Sequence, residues 1–503
     1  MKHNSLSLLI TRSIIVASTV MALAWFVAVA AEKPASARPP NIVIVNTDDQ
    51  AQRAVGAYGN KEIHTPNMDR LAREGMRFNR AFTKPVCSPS RAMTLTGQYS
   101  HRLGIPDYIP YGNPIQVDNG LPAGTPTIAS VLKGVGYTSA LVGKWHLGYG
   151  EKYYPQRFGF DVAEGDRYVG PGKQYDNVRQ MPVLLDGKEV KGFCDEPRHT
   201  DILTDRAIHF VRANRAKPFF LYFNTYVPHE PWNCAPEEDL AHYRDRPLTV
   251  PDLSRFPEAT MTQVELLRLT RLYYAHITCA DHNLGRLLAA LDELGLAENT
   301  LVLFMGDNGF NLGQHGLRGK GNATILGSGP LRLGPKKADS NPPKFKPNMF
   351  DTSVLVPFIV RWPGVVKAGA TSDALVSTID ILPTLMEATG AGSGQKLQLD
   401  GRSLLPLLKS EKVAWRDAYS DTYDMIYLAE AHMRMIRTDR WKLVLYLDQE
   451  GHPLDNGSRH ELFDLQTDPD ELTNLYGKPT IAPIQQQLDK QLRAWIRETG
   501  VTK

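Results

Sequence analysis

Cysteine is scarce. The chain of 503 residues carries four, Cys87, Cys194, Cys234 and Cys279, and no two stand in a C-x-x-C pair. That excludes a disulfide-built scaffold and gives no support to a zinc site of the usual spacing. Cys194 and Cys234 remain candidates for one bridge between loops, Cys279 in YYAHITCADHNLGRLLAAL reads as a small buried hydrophobe, and Cys87 is left without a mate. An excess of one charge is also missing. With 57 Lys and Arg against 54 Asp and Glu, global charge steers nothing, no nucleic-acid partner is expected, and an anionic substrate must be held by a local cluster. Repeats and low-complexity tracts are absent, and 42% hydrophobic content is ordinary for a globular protein with a real core.

Long apolar runs are missing as well, apart from the amino-terminal segment. There MKHNSLSLLITR carries Lys2 and Arg12, SIIVASTVMALAWFVAVA is uncharged, and the run ends in Ala28-Val29-Ala30. This is the pattern of a secretory signal over residues 1–30, cleaved near Ala30. A retained anchor is the alternative, since residues 13–30 are almost long enough to span a bilayer. Cleavage removes two of the 57 basic residues, leaving 55 against 54 acidic ones and a net charge of +1. The mature protein is then expected to be exported, periplasmic or secreted, with no stable membrane span, in a compartment where the free thiol of Cys87 is a liability.

What is present is an alternation of short apolar runs and helix-like segments, the pattern of a mostly parallel sheet sandwiched by helices. NIVIVN (41–46), YTSALVG (137–143), PFFLYFN (218–224) and NTLVLFMG (299–306) read as buried strands, and residues 66–74, 125–134, 200–214 and 263–294 as helices. A polar cluster follows each strand: Asp48-Asp49, Lys144-Trp145-His146, His229-Glu230 and Asp307-Asn308. Ligands of open α/β sheets bind outside the carboxyl ends of strands, so these clusters are expected at one edge. LRLGPKKADSNPPKFKP reads as a basic surface insertion, after which VLVPFIVRWPG returns to a strand and STIDILPTLMEATG to a helix. From about residue 411 a smaller unit begins, with MRMIRTD, RWKLVLYL and HELFDL as antiparallel strands and IQQQLDKQLRAWIRET as a closing helix. The expected division is a catalytic domain over 40–410 and an α+β subdomain over 411–503.

The stretch KPVCSPSRAMTLTGQY places Cys87 two residues before Pro89 and four before Arg91. Proline is at ease in the first turn of a helix, so a helix is predicted to run through Arg91, Ala92, Met93 and Leu95 with Cys87 at its mouth. Unpaired N–H groups and the positive end of the helix dipole favour an anion or a reactive sulfur there, and Arg91 adds a fixed charge. Asp48, Asp49, Asp307 and Asn308 offer only hard oxygen donors, which suit calcium or magnesium better than zinc. Lys144 and His146 are separated by two and can face one cavity. His229 stands in VPHEP, between two prolines that stiffen its loop. A divalent cation with Arg91, lysines and two histidines suits an oxyanion such as sulfate or phosphate.

Taken together, CSPSR followed by LTGQY, with NTDDQ upstream and GKWHLG, VPHEP and GDNGFNLGQHG downstream, resembles the type I sulfatases of the alkaline phosphatase superfamily. The likeness runs from residue 40 to about 475, through RTDRWKL and ELFDLQTDPDELTNL. One departure is Gly306, where these enzymes usually carry a serine. The resemblance implies an alkaline phosphatase-like fold and oxidation of Cys87 to formylglycine by a formylglycine-generating enzyme that reads the pentapeptide. One hydroxyl of the hydrated aldehyde then attacks sulfur and the second expels sulfate. It further implies calcium held by Asp48, Asp49, Asp307, Asn308 and the modified Cys87. Asp307 takes the proton, Arg91 holds the hydrate, Lys144, His146 and a third lysine meet the sulfate oxygens, and His229 protonates the leaving alcohol.

The third lysine is ambiguous. Lys320 lies in HGLRGKGNAT and Lys346 in KFKPNMF. Lys320 is preferred, because HG-x-x-GKGN and NMFDTSV look like one family segment interrupted by residues 325–346. The implied substrate is a sulfated carbohydrate or an aryl sulfate. A phosphate or phosphonate ester hydrolase on the same fold and a non-catalytic binder of sulfated glycans are the alternatives. His315, Tyr108 and Tyr111 are candidate wall residues, with ordinary loop packing as the equal alternative.

Overall fold

Consecutive residues of the strand Asn41–Thr47 alternate between two apolar layers, and this alternation sets the architecture. In this computed structural model the described residues are 38–110, 119–166, 183–185, 188–190, 198–232, 235–328, 344–392, 396–453 and 460–501. The expected signal segment, Tyr111, Cys194, Cys234 and most of the basic insertion lie outside them. Ile42 and Ile44 face one layer with Leu141, Phe220 and Leu303, packed by Ile128 and Leu132 and by Leu382 and Leu385 from the helices Ile128–Lys133 and Ile381–Thr389. Val43 and Val45 face the other with Val142, Phe223 and Phe304, covered by Leu203 and Phe210 of His199–Asn214 and by Leu266, Leu284 and Leu291 of Gln263–Glu293. A strand buried on both faces has no polar side to give up, which is why these runs read as continuously apolar.

The main sheet has ten strands among the described residues. Its middle is parallel: Asn41–Thr47 pairs with Phe219–Asn224 on one side and Thr300–Gly306 on the other, and Thr138–Gly143 and Val162–Asp166 follow in the same sense. The flanks turn antiparallel at Phe358–Arg361 and, at the far edge, at Val183–Leu185 and Lys188–Val190. Most predicted elements lie within a residue or two of their expected limits. The helix expected over 125–134 is shorter, Ile128–Lys133, because the Thr127 hydroxyl caps it by accepting from the Ser130 N–H.

A second sheet is antiparallel throughout and runs Ala418–Met425, Ala431–Thr438, Trp441–Leu447 and Glu461–Asp464 in order. The helix Ala482–Thr499 covers it through Leu488 and Leu492. Its first strand was not evident in the sequence. AYSDTYDM buries Ser420, Asp421 and Thr422 beside two tyrosines, so it lacks the apolar pattern that betrays an inward face.

Candidate active site

Register brings the polar clusters together. Thr47 lies opposite Gly306, and Asn224 lies opposite both Asn46 and Gly143, so the chain leaves all four strands at one edge. The next residues, Asp48, Lys144 and Asp307, are all buried. Asp49 adopts a left-handed backbone, φ 67°. Its N–H donates to Asp307 Oδ1 at 3.0 Å, and its carbonyl accepts from the Tyr273 hydroxyl at 2.8 Å. Gly143, at φ 101°, is needed for contact: a Cβ there would lie 1.7 Å from the Asn224 carbonyl oxygen. Gly306 is confined as well, since a side chain would press within 2.8 Å of the Gln50 carbonyl.

The helix Cys87–Thr96 starts at the cysteine, holds Pro89 in its first turn and is buried along its whole length. From its second turn Arg91 reaches Asp307 Oδ2 through Nε at 3.0 Å and Nη2 at 2.8 Å, and Nη1 donates to the Lys144 carbonyl at 2.9 Å. The same guanidinium lies 3.8 Å from Asp48 Oδ2. Burial pushes the Cys87 thiol up, against the pull of Lys144 and Lys320, so the unmodified side chain is not an activated thiolate.

The lysines interleave with the carboxylates. Lys144 pairs with Asp48 Oδ2, and Lys320 pairs with Asp49 Oδ1 while its Nζ stands 3.8 Å from Cys87 Sγ. Lys320 is 7% exposed and held by Asn348, whose amide donates to the Lys320 carbonyl at 2.8 Å. Lys346 is exposed to solvent. Burial pushes Asp48 up, but Lys144, His229, Arg91 and Lys320 together hold it well below the usual carboxylate range. Burial and the neighbouring Asp48 push Asp307 up to about 6, against Arg91 and Lys320.

The two histidines differ in their partners. His229 Nδ1 lies 2.6 Å from the Glu230 carbonyl, which can only accept, so Nδ1 carries the hydrogen. Its Nε2 stands 3.6 Å from Asp49 Oδ2, on a side chain 31% exposed. His146, in left-handed backbone at φ 59°, sets Nε2 2.8 Å from the Ile109 carbonyl. Burial and Lys144 hold it well below the usual histidine range, so the ring is neutral and contributes a hydrogen bond rather than charge. His315 stacks flat on Phe350 at 3.7 Å between centroids, and Tyr108 packs in the same cluster as Cys87.

The donor set fits a hard divalent cation. Asp48, Cys87 and Asp307 each bring one potential ligand atom within 4.8 Å of the others, as do Asp48, Asp49 and His229. Asp48 Oδ1 and Asn308 Oδ1 are buried oxygens with no hydrogen-bond partner among the described residues. Orphaned buried oxygens beside clustered carboxylates are what an oxygen-seeking ion of the calcium type would satisfy. Sequence reasoning had no access to the supports: the Ser88 hydroxyl accepting from Ile109 N–H at 3.0 Å, Tyr273, and the pair Lys84–Asp421. Each joins residues that sequence spacing does not connect.

Comparison with known proteins agrees with this geometry. The Sulfatase family pattern matches residues 40–391, and that of the N-sulphoglucosamine sulphohydrolase C-terminal region matches residues 345–498. The chain is 28% identical to an N-acetylglucosamine-6-O-sulfatase of Bacteroides thetaiotaomicron, covering 89% of this chain and 85% of that one. It is 30% identical to an ulvan-active sulfatase of Formosa agariphila over 92% of this chain and 82% of the other. A protein solved in complex with its substrate D-glucosamine-2-N,6-O-disulfate superposes with a TM-score of 0.70 at 25% identity, covering 92% of this chain and 98% of that one. With its mostly parallel core, small antiparallel sheet and the site between the strand ends and Cys87, the chain belongs to the Sulfatase family and is a sulfatase, a hydrolase of sulfuric esters.

Proposed function

We propose that the protein removes sulfate from a sulfated carbohydrate, with Cys87 matured to formylglycine and calcium held by Asp48, Asp49, Asp307 and Asn308. One observation carries this reading: three carboxylates and three cations interleave around Cys87, while Asp48 Oδ1 and Asn308 Oδ1 are left without partners. When bound, calcium supplies Lewis acidity to the sulfate group and neutralises the clustered carboxylates. The oxidised Cys87, as a hydrated aldehyde, supplies one hydroxyl for attack on sulfur and a second to release sulfate. The maturation needs a formylglycine-generating enzyme as partner. Lys144 and Lys320 then offset charge on the sulfate oxygens, and Arg91 fixes Asp307, which accepts the proton of the attacking hydroxyl. His229, with its hydrogen on Nδ1, presents Nε2 to hold the proton that passes to the leaving alcohol.

The carbohydrate class is supported by relatives named for N-acetylglucosamine and ulvan sulfates. Residues 1–30 are read as an export signal, and the division into 40–410 and 411–503 as catalytic domain and subdomain. The test is turnover of a panel of defined sulfated saccharides beside a matched aryl sulfate and aryl phosphate, with mass spectrometry of the Cys87 peptide. Release of sulfate from at least one saccharide by formylglycine-bearing protein supports the reading. Faster aryl phosphate turnover, or full activity with an unconverted thiol, refutes it.

A further inference from the structure

The loop that follows the nucleophile helix is held from three sides. Asp107, 1% exposed, accepts at Oδ1 from the Tyr108 N–H at 2.8 Å and the Tyr423 hydroxyl at 3.1 Å, and at Oδ2 from the Ile426 N–H at 2.9 Å. It thereby ties the loop to the first hairpin of the small sheet. Next in the chain, Ile109 N–H donates to Ser88, beside the nucleophile, at 3.0 Å. The Ile109 carbonyl accepts from His146 at 2.8 Å and from the Tyr149 hydroxyl at 3.1 Å. Between these anchors stands Tyr108. Its side chain belongs to the cluster that contains Cys87, it is 7% exposed, and its hydroxyl has no hydrogen-bond partner among the described residues. Nearly all buried hydroxyls are partnered, so one left without a partner in the cluster that contains Cys87 marks a place where a ligand atom is expected. The Tyr427 ring meets it edge to face, 5.6 Å between centroids at 75°, and the Tyr427 hydroxyl accepts from Asn119 at 3.0 Å.

We propose that Tyr108 and Tyr427 form the wall that reads the sugar of the sulfate ester, the Tyr108 hydroxyl bonding a ring substituent, with Asp107 as the positioning residue that holds both. This rests on the carbohydrate reading above and adds which residues recognise the sugar. An aromatic face with one polar tip suits a sugar ring, which offers C–H groups on its faces and hydroxyls at its edge. It also gives the small sheet a part in recognition, since Tyr427 sits in its first turn.

The test compares Tyr108→Phe, Tyr427→Ala and Asp107→Asn on N-acetylglucosamine-6-sulfate and on 4-nitrophenyl sulfate. Tyr108→Phe is expected to lower kcat/KM for the sugar sulfate about tenfold more than for the aryl sulfate, mostly through KM, because a lost bond to the bound substituent weakens binding before chemistry. Asp107→Asn should shift KM in the same direction, and thermal melts establish that the variant is folded. If it does not fold, Tyr108→Phe decides alone. Equal losses on both substrates would overturn the proposal, as would a Tyr108→Phe enzyme indistinguishable from wild type on the sugar. A wild type that cleaves the aryl sulfate but no saccharide of the panel would refute the carbohydrate reading and this wall with it. Sugar turnover that is insensitive to Tyr108 refutes the wall alone.

Discussion

Two lysines compete for one role, and burial separates them. Lys320 sits in the site against Asp49 and 3.8 Å from Cys87 Sγ, whereas Lys346 is exposed. A buried charge aimed at a developing oxyanion is worth about 3–4 kcal/mol in mutational series, while an exposed one is worth about 0–1. Lys320→Ala should therefore cut kcat by about two to three orders of magnitude and Lys346→Ala by less than about threefold. The reverse ranking in steady-state assays would reassign the third lysine. His229 is tested by leaving group. If Nε2 hands over the proton, His229→Ala should slow sugar sulfates far more than 4-nitrophenyl sulfate, whose phenolate departs without help. Equal slowing would instead give this histidine a sulfate-binding role.

At the scale of elements, strand ends were legible in the sequence because a run buried on both faces must stop where polar residues begin, as at Asp48 and Asp307. Tertiary partners were not. Lys84 lies just before the helix Cys87–Thr96, yet its ammonium pairs with Asp421 at 2.7 Å, both side chains 0% exposed, across 337 positions of sequence. Asp421 also accepts from the Tyr419 hydroxyl at 2.6 Å and the Thr422 N–H at 2.8 Å. Nothing in KPVC or AYSDTYDM announces this, because a polar strand with satisfied partners looks like a surface loop. Removing one member strands the other charge in the interior, at a cost of about 3–5 kcal/mol. Lys84→Met should lower the unfolding free energy measured in urea by that much, with a lower midpoint, and adding Asp421→Asn should recover part of it. An unaltered midpoint for Lys84→Met would mean that the pair does not brace the helix against the small sheet.

For the molecule as a whole, the site poses a problem of charge. Arg91, Lys144 and Lys320 face Asp48, Asp49 and Asp307, all buried, so the cavity by itself carries no net attraction for an anionic ester. The overall charge of +3 across 503 residues is no help at a distance. A divalent ion held as proposed would change that balance to an excess of two positive charges, enough to draw in a sulfate group, and would satisfy the oxygens of Asp48 and Asn308 that have no partner among the described residues. Such an ion should also stabilise the fold, since its proposed ligands Asp49 and Asp307 stand 258 residues apart and are brought together only in the native state. At a free calcium concentration about 100 times its dissociation constant the gain is about 2.7 kcal/mol, a rise of a few degrees in melting temperature. Chelation should therefore lower the melting temperature and abolish turnover together, and added calcium should restore both. Asp49→Asn should weaken the calcium-dependent shift, because hard-cation affinity follows ligand charge. Full activity and an unmoved melting temperature in rigorously metal-free protein would show that these carboxylates serve only to pair with the lysines.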